Sequence, residues 1–404
     1  MSIVIGFNNS HNGSVALISD GEIKVAIQAE RISRKKRQAL PLNENIELSR
    51  LCVDYCLNYA GFKHKDINAI ALSTPWELNK INDTSLFNYI GGVPDNYLGT
   101  FYVPHHFSHM EYIVHYGDKE PGIVLIIDGS GSFEDDRSKF NINEEHHPKV
   151  ISHTHFCGKE VISAYWFDGS KSFLIYRFSP STAQKEDYNS NSGGFLQSIG
   201  HYWEWASLYC CGSRTSAGKI MGLAAFGDKN TNNEYDLLSI NNIGKIKLDF
   251  FNINQLYNEP NIFSFDLSNR KHHQDLASKV QFETEVVILK LLELLKKEFP
   301  TNNLYFSGGV ALNVVANERI KKSNLFKKII LNGSVEDNGI AIGAALSASA
   351  YLSSERKYSS INDYYGRYYN NDEILKEVLK NNVNYKLLNE DKLFSIAAKL
   401  LEQE

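Results

Sequence analysis

The chain has 404 residues, of which 43% are hydrophobic and 22% charged, with a formal net charge of −5. That is ordinary globular composition, long enough for two core-bearing lobes or domains. The acidic balance and the lack of a basic stripe exclude nucleic acid as the default partner, and no apolar run of about 18 residues points to a membrane span. The odd cysteine set, Cys52, Cys56, Cys157, Cys210 and Cys211, suggests a reducing compartment. Cys52 and Cys56 share helical spacing with Leu48, Leu51, Tyr55 and Tyr59 and read as core residues. Met1 runs directly into a strand rather than a leader, so the cytoplasm is the expected location.

Taken in chain order, Ser2 to Phe7 is a β run followed by the polar turn Asn8 to Gly13. Ser14 to Ile18 and Glu22 to Ala29 flank Asp20-Gly21, a hairpin corner. Ile46 to Tyr59 reads as an amphipathic helix and Ile67 to Leu72 as a strand. The plan then recurs. Gly122 to Ile127 is an apolar strand entering Asp128-Gly129-Ser130-Gly131-Ser132, and a hairpin of Val161 to Trp166 and Phe173 to Phe178 turns at Asp168-Gly169-Ser170. Further on, Asp275 to Phe299 is a long helix, Asn303 to Phe306 a strand, Ala311 to Ile320 a helix, Lys328 to Leu331 a strand and Gly339 to Leu352 a small-residue helix. This alternation argues for an α/β region. Residues 353–371 read as a linker, then Tyr385 to Leu388 as a strand and Lys392 to Glu402 as a helix.

Three small-residue loops follow apolar strands: Gly6 to Gly13, Asp128 to Ser132 and Ser307-Gly308-Gly309. Backbone amides approach a phosphate closely only where side chains are small. His105 and His109, four residues apart, share one face of a helix and can meet one metal ion. Asp128 and Asp337 are candidate further ligands, and such a set suits iron, manganese or zinc. His106 points elsewhere on that helix, behind the ligands or toward the substrate. Lys219, among small residues in Gly218 to Ala224, can reach a phosphate as a point charge. His11 is placed to act as a general acid or base. Tyr202, Trp203 and Trp205 suit core packing better than an acceptor pocket.

Together these motifs resemble the O-carbamoyltransferase family of nodulation factors, aminoglycosides, cephalosporins, ansamycins and saxitoxin. The carrying residues are His11-Asn12-Gly13-Ser14, Glu30-Arg31 with Arg34 and Lys36, His105-His106 with His109, and Asp128 to Gly131. Gly218 to Ala224, Ser307 to Asn313, and Asp337 with Gly339 complete the set, which covers about residues 1–350 in the family's order. The first domain of such enzymes is similar to the tRNA threonylcarbamoyl transferase. The resemblance implies an α/β, two-lobed actin-like (ASKHA) ATPase fold with duplicated mixed-sheet lobes. It implies a carbamoyl-transfer domain over residues 1–352, and over 353–404 a linker and the start of a truncated YrdC-like domain. The implied metal, Fe(II), is held by His105, His109, Asp128 and Asp337. ATP or carbamoyl adenylate would rest on Asp128, Gly129, Ser130, Gly131, Lys219, Ser307, Gly308, Gly309, Val310 and Asn313. Catalysis would fall to His11, Asn12 and Lys36. The implied partners are carbamoyl phosphate and a small hydroxylated acceptor, and a homodimer is admitted.

The family commonly has His-Asp in the first loop, whereas this chain has His11-Asn12, and Asn12 cannot be a base. A glycine- and arginine-rich segment expected after the last helix is absent, so the natural protein is expected to be about one domain longer. Competing readings are a tRNA threonylcarbamoyl transferase, a sugar kinase or other actin-like ATPase, and a non-catalytic nucleotide-binding module.

Overall fold

The computed structural model describes residues 2–40, 46–74, 87, 88, 90, 92, 94–151, 155, 156, 158–180, 197–229, 236–249, 253, 270–358 and 364–403. The first sheet holds β1 (Ile3–Asn8), β2 (Ser14–Ser19), β3 (Glu22–Gln28), β4 (Ala69–Ser73) and β5 (Gly99–Tyr102), in the order β3-β2-β1-β4-β5. On one side of β1 the strands run antiparallel through the hairpin; on the other, β4 and β5 run parallel. The hairpin corner is set by chemistry: Asp20 and Gly21 both take positive φ, 50° and 83°, which favours this residue pair.

The second sheet repeats this plan. It contains β6 (Gly122–Ile127), β7 (Glu145–His146), β8 (His155–Phe156), β9 (Ile162–Phe167) and β10 (Ser172–Ser179). After a separate ribbon of β11 (Leu238–Ile240) and β12 (Ile246–Leu248) come β13 (Asn303–Ser307) and β14 (Lys328–Ile330). The order is β14-β13-β6-β9-β10-β7, with β9 antiparallel and β13 parallel to β6.

Alternation along β1 and β6 assigns each sheet two apolar faces. Ile3, Ile5 and Phe7 pack outward with the Ile46–Ala60 helix, where Cys52 and Cys56 are buried core residues. Ile123, Leu125 and Ile127 face helices Ile199–Cys211, Ala217–Ala224 and Arg270–Glu298. Val4 on one sheet and Val124 and Ile126 on the other enclose a shared layer of two helices, His105–Tyr116 and Ile340–Ser353. That layer is tight because its residues are small. A Cβ on Gly6 would lie 2.0 Å from the Ala341 carbonyl oxygen, and one on Gly343 1.8 Å from that of Ser108. Tyr202 and Trp203 are core residues tied by hydrogen bonds to Glu283 and Thr284.

Residues 1–365 form one compact unit and 366–404 another. The second has helices Asn371–Lys380 and Glu390–Glu402, capped by the Asn370 and Asn389 side chains. Tyr385 to Leu388, expected as a strand, are in no strand; the described residues of this unit offer no strand edge for them to pair with. The helix expected over Ala311 to Ile320 is also corrected. Gly309–Leu312 is a 3-10 turn and the α-helix is Val314–Lys322, because Asn313 interrupts the run and caps it. No helix among the described residues is long and apolar enough to cross a membrane.

Candidate metal centre

Strand ends and helix starts converge on one point. Asp128 follows β6, held by its N–H donating to the Val161 carbonyl at 3.0 Å. The His105–Tyr116 helix begins after Pro104, and its first amides are tied down individually. The His105 N–H donates to Ser132 Oγ, and that of His106 to Glu160 Oε1, each at 2.9 Å. These contacts satisfy amides that the helix itself leaves orphaned, and they fix its rotation. Asp337 opens a 3-10 turn ahead of Ile340–Ser353, and its carbonyl accepts from Asn8 Nδ2 at 2.7 Å.

His105 Nε2 lies 3.2 Å from Asp128 Oδ2 and 3.4 Å from Asp337 Oδ1. His109 Nε2 lies 3.5 Å and 3.8 Å from the same two atoms. One ligand atom from each residue fits within a 4.8 Å cluster, and all four residues are buried. Ser307 Oγ donates to the Val335 carbonyl at 3.0 Å and stands 3.4 Å from His109 Nδ1. This directs the Nδ1 proton of His109 to serine and leaves Nε2, a buried nitrogen without a hydrogen-bond partner among the described residues, facing the carboxylates. Two imidazole nitrogens and two carboxylates fit a divalent first-row ion.

The metal-free electrostatics follow from this packing. Burial opposes charge on His105, but Asp337 and Asp128 outweigh it and raise its pKa to about 10. His109 shifts upward too, burial being outweighed by the pull of the nearby Asp128 and Asp337 carboxylates. Against burial and mutual repulsion, the histidines hold Asp128 and Asp337 below the usual carboxylate range. Near neutral pH the cluster therefore stores protons that a metal must displace. The raised His105 stabilises the metal-free fold fully below its ordinary value of 6.5, and this is lost as pH rises through about 10. Metal affinity should move the other way, rising about tenfold per pH unit for each proton released. Calorimetric titration in buffers of different ionisation enthalpy counts those protons; none released near pH 7.5 would contradict this account.

The three small-residue loops surround the cluster. Asp128 Oδ1 accepts from the Gly129 N–H at 2.8 Å and the Gly309 N–H at 3.3 Å, joining two of them. Gly308 has φ +94°, and a Cβ there would lie 2.3 Å from the Ile127 carbonyl oxygen, so only glycine fits. Ser130 is half-buried and Val310 buried. His11 Nδ1 is 3.5 Å from Asp337 Oδ2, with a side chain 55% exposed and so open to a substrate. Asn12 is buried, and its Nδ2 has no hydrogen-bond partner among the described residues.

Three predicted residues sit differently. Lys36 is exposed, without a hydrogen bond or ion pair among the described residues. Lys219 is exposed on the Ala217–Ala224 helix. Asn313 caps Val314–Lys322 and exchanges two hydrogen bonds with Gln281, so its amide is already engaged.

Several residues near the centre were not anticipated. Arg37, beside Lys36, is a cation whose charge reaches Glu204 and Glu336. Burial raises the pKa of both carboxyls, against the pull of His11 and Arg37. Behind the His105–Tyr116 helix lies a buried ion network. Glu160 Oε2 accepts from Arg137 at 2.6 Å and pairs with Arg177 at 3.3 Å. Arg177 also donates to Ser163 Oγ at 3.0 Å and Tyr165 Oη at 3.1 Å. A basic residue inside the apolar run Phe173 to Phe178 was the available signal.

Residues 4–346 match the family described as Carbamoyltransferase N-terminus. An uncharacterised protein of Synechocystis is 27% identical over 400 residues, covering 90% of this chain and 60% of that protein. The nodulation protein NolNO of Sinorhizobium fredii is 24% identical over 381 residues, 88% of this chain and 48% of its own length. The chain thus spans about half to two-thirds of these curated relatives. Full-length HypF, solved in a phosphate- and nucleotide-bound form, superposes with a TM-score of 0.53 at 15% identity, over 89% of this chain and 56% of that one. This likeness bears on the fold, which is the actin-like ATPase arrangement of two mixed-sheet lobes. By its match over residues 4–346, the chain belongs to the carbamoyltransferase N-terminal family.

Proposed function

We propose that this chain performs the transfer step of ATP-dependent O-carbamoylation. A carbamoyl group would pass from carbamoyl adenylate to a hydroxyl of a small natural product, such as a toxin, an antibiotic or a sugar-type molecule. The observation that carries the reading is the buried His105, His109, Asp128 and Asp337 cluster set against three small-residue loops at strand ends. Family membership and the nodulation relative support it. In this reading residues 1–352 are the transfer domain and 353–404 lead into a YrdC-like domain, which would make the adenylate from carbamoyl phosphate and ATP.

A divalent ion on the four ligands, iron in this reading, would supply Lewis acidity toward a phosphoryl or carbonyl oxygen. The chain's own residues do the rest. Asp128 to Gly131 and Ser307 to Val310 hold the nucleotide through backbone amides. His11, oriented by Asp337, accepts the proton of the acceptor hydroxyl. The hydroxyl oxygen then bonds to the carbamoyl carbon, the bond from that carbon to the phosphate oxygen breaks, and AMP leaves. Asn12 supplies no base here; its buried Nδ2 is a donor for a substrate oxygen.

The test is to feed metal-loaded protein synthetic carbamoyl adenylate with a panel of small alcohols, aminoglycosides and tRNA. The expected result is AMP release with carbamoylation of a small acceptor, slowed about a hundredfold or more in His11→Ala. Carbamoyl transfer to tRNA alone would favour the tRNA-modifying reading. No transfer by folded, metal-loaded protein would end the proposal.

A further inference from the structure

The middle histidine of His105-His106-Phe107-Ser108-His109 is not one of the four ligands, yet it is wholly buried beside them. Its ring centroid stands 6.2 Å from that of His105 and 6.5 Å from that of His109. Its Nδ1 is 2.8 Å from Ser163 Oγ. Ser163 Oγ also receives a hydrogen bond from Arg177 Nε at 3.0 Å. A guanidinium can only donate, so Ser163 accepts from Arg177 and keeps one hydroxyl proton and one further lone pair to offer His106 Nδ1. In the arrangement where Ser163 donates to Nδ1, the ring proton of His106 sits on Nε2.

That second nitrogen is the unusual one. His106 Nε2 is buried and has no hydrogen-bond partner among the described residues. Its neighbour in the ring, Cδ2, lies near Gly131: a Cβ there would stand 2.9 Å from it, and 2.6 Å and 2.8 Å from Glu160 Cγ and Oε1. The bare edge of the imidazole thus adjoins the Asp128 to Gly131 loop, while the opposite edge is fastened to Ser163. A buried N–H donor without an acceptor is costly unless a ligand completes it.

We propose that His106 is a binding residue, presenting a fixed Nε2–H donor to a phosphoryl oxygen of the nucleotide at the Asp128–Gly131 loop, with Ser163 and Arg177 as positioning residues that set its tautomer. This rests on the nucleotide site proposed above. It adds a neutral donor to a place where an acidic cluster would otherwise repel phosphate.

The experiment titrates metal-saturated protein calorimetrically with AMP and, separately, with adenosine. His106→Phe is expected to weaken AMP by about tenfold to a hundredfold, the range for a hydrogen bond to a charged group, with adenosine unchanged. His106→Gln, whose amide reaches the Nε2 position, is expected to restore AMP binding to within a few-fold, and both variants should keep full metal content. Independently, nitrogen-15 spectra of histidine-labelled protein should show His106 protonated at Nε2, and Ser163→Ala should disturb that tautomer. Equal loss of AMP and adenosine would reduce His106 to a packing role. Unchanged AMP affinity in His106→Phe would overturn the proposal while leaving the nucleotide site standing. A wild-type protein that binds no AMP would overturn both, and the nitrogen spectra would then show whether the tautomer was read correctly.

Discussion

Asp128→Asn is expected to abolish stoichiometric metal while leaving the fold intact. The substitution separates two duties of one side chain. Oδ1 accepts from the Gly129 and Gly309 amides, which an asparagine carbonyl can continue to do. Oδ2 faces His105 and His109, where an amide brings neither charge nor a good ligand atom. Changing a residue that merely supports a ligand costs about 10- to 100-fold in metal affinity, so losing a ligand should cost at least about a hundredfold. Metal analysis after equilibration with iron, manganese or zinc gives the content, and transfer from carbamoyl adenylate gives the activity, expected to fall with it. Full metal content in Asp128→Asn would remove Asp128 from the ligand set. The same change should draw the His105 pKa back down, because Asp128 is one of the two carboxylates raising it.

The second large effect is expected at Arg177, on the hidden side of the centre. Its side chain is 1% exposed and lies between Glu144 and Glu160, themselves buried. Removing one partner of a buried ion pair leaves the other charge desolvated and typically costs about 3–5 kcal/mol. Arg177→Ala should lower the urea midpoint accordingly. Arg177→Lys should recover only part of the loss, since one ammonium cannot replace a fork that reaches Ser163, Tyr165 and a carboxylate together. Glu160 also holds the first turn of the ligand helix through the His106 N–H, so metal affinity should weaken in the same variant. A stable Arg177→Ala protein with unaltered metal affinity would show the network to be dispensable.

The grouping of His105, His109, Asp128 and Asp337 was legible because its members depend on local order. His105 and His109 lie one helical turn apart, and Asp128 and Asp337 each come after a strand and beside a small-residue corner. The two sheets were legible through their hairpins, where Asp20-Gly21 and Asp168-Gly169 mark the turns. What escaped depends on distance or on a single backbone angle. Glu160 meets His106 across 54 residues of sequence, a pairing that no spacing rule contains. Arg37 rather than Lys36 acts on the carboxyls of the centre; its own φ is +56° and its N–H is held by Glu30 Oε2, so the chain turns there. A run of basic residues does not reveal which of several exposed cations has its charge felt at Glu204 and Glu336. Asn313 had the right neighbours for a nucleotide contact, but the start of a helix claimed it first. Tyr385 to Leu388 had strand composition without a partner strand, and composition alone does not make a sheet.

The two lobes end their leading strands differently. β1 closes on Asn8, whose amide nitrogen donates to the Asp337 carbonyl, while β6 runs into Asp128, whose carboxylate faces the histidines. These corners are equivalent places in one repeated plan, yet one is neutral and the other anionic. The repeat is thus symmetric in shape and polarised in charge. A cation can be neutralised at only one of the paired corners, and the neutral corner instead anchors the loop that brings the second carboxylate across. A ligand spanning both would meet a directional field, and so have one favoured way round.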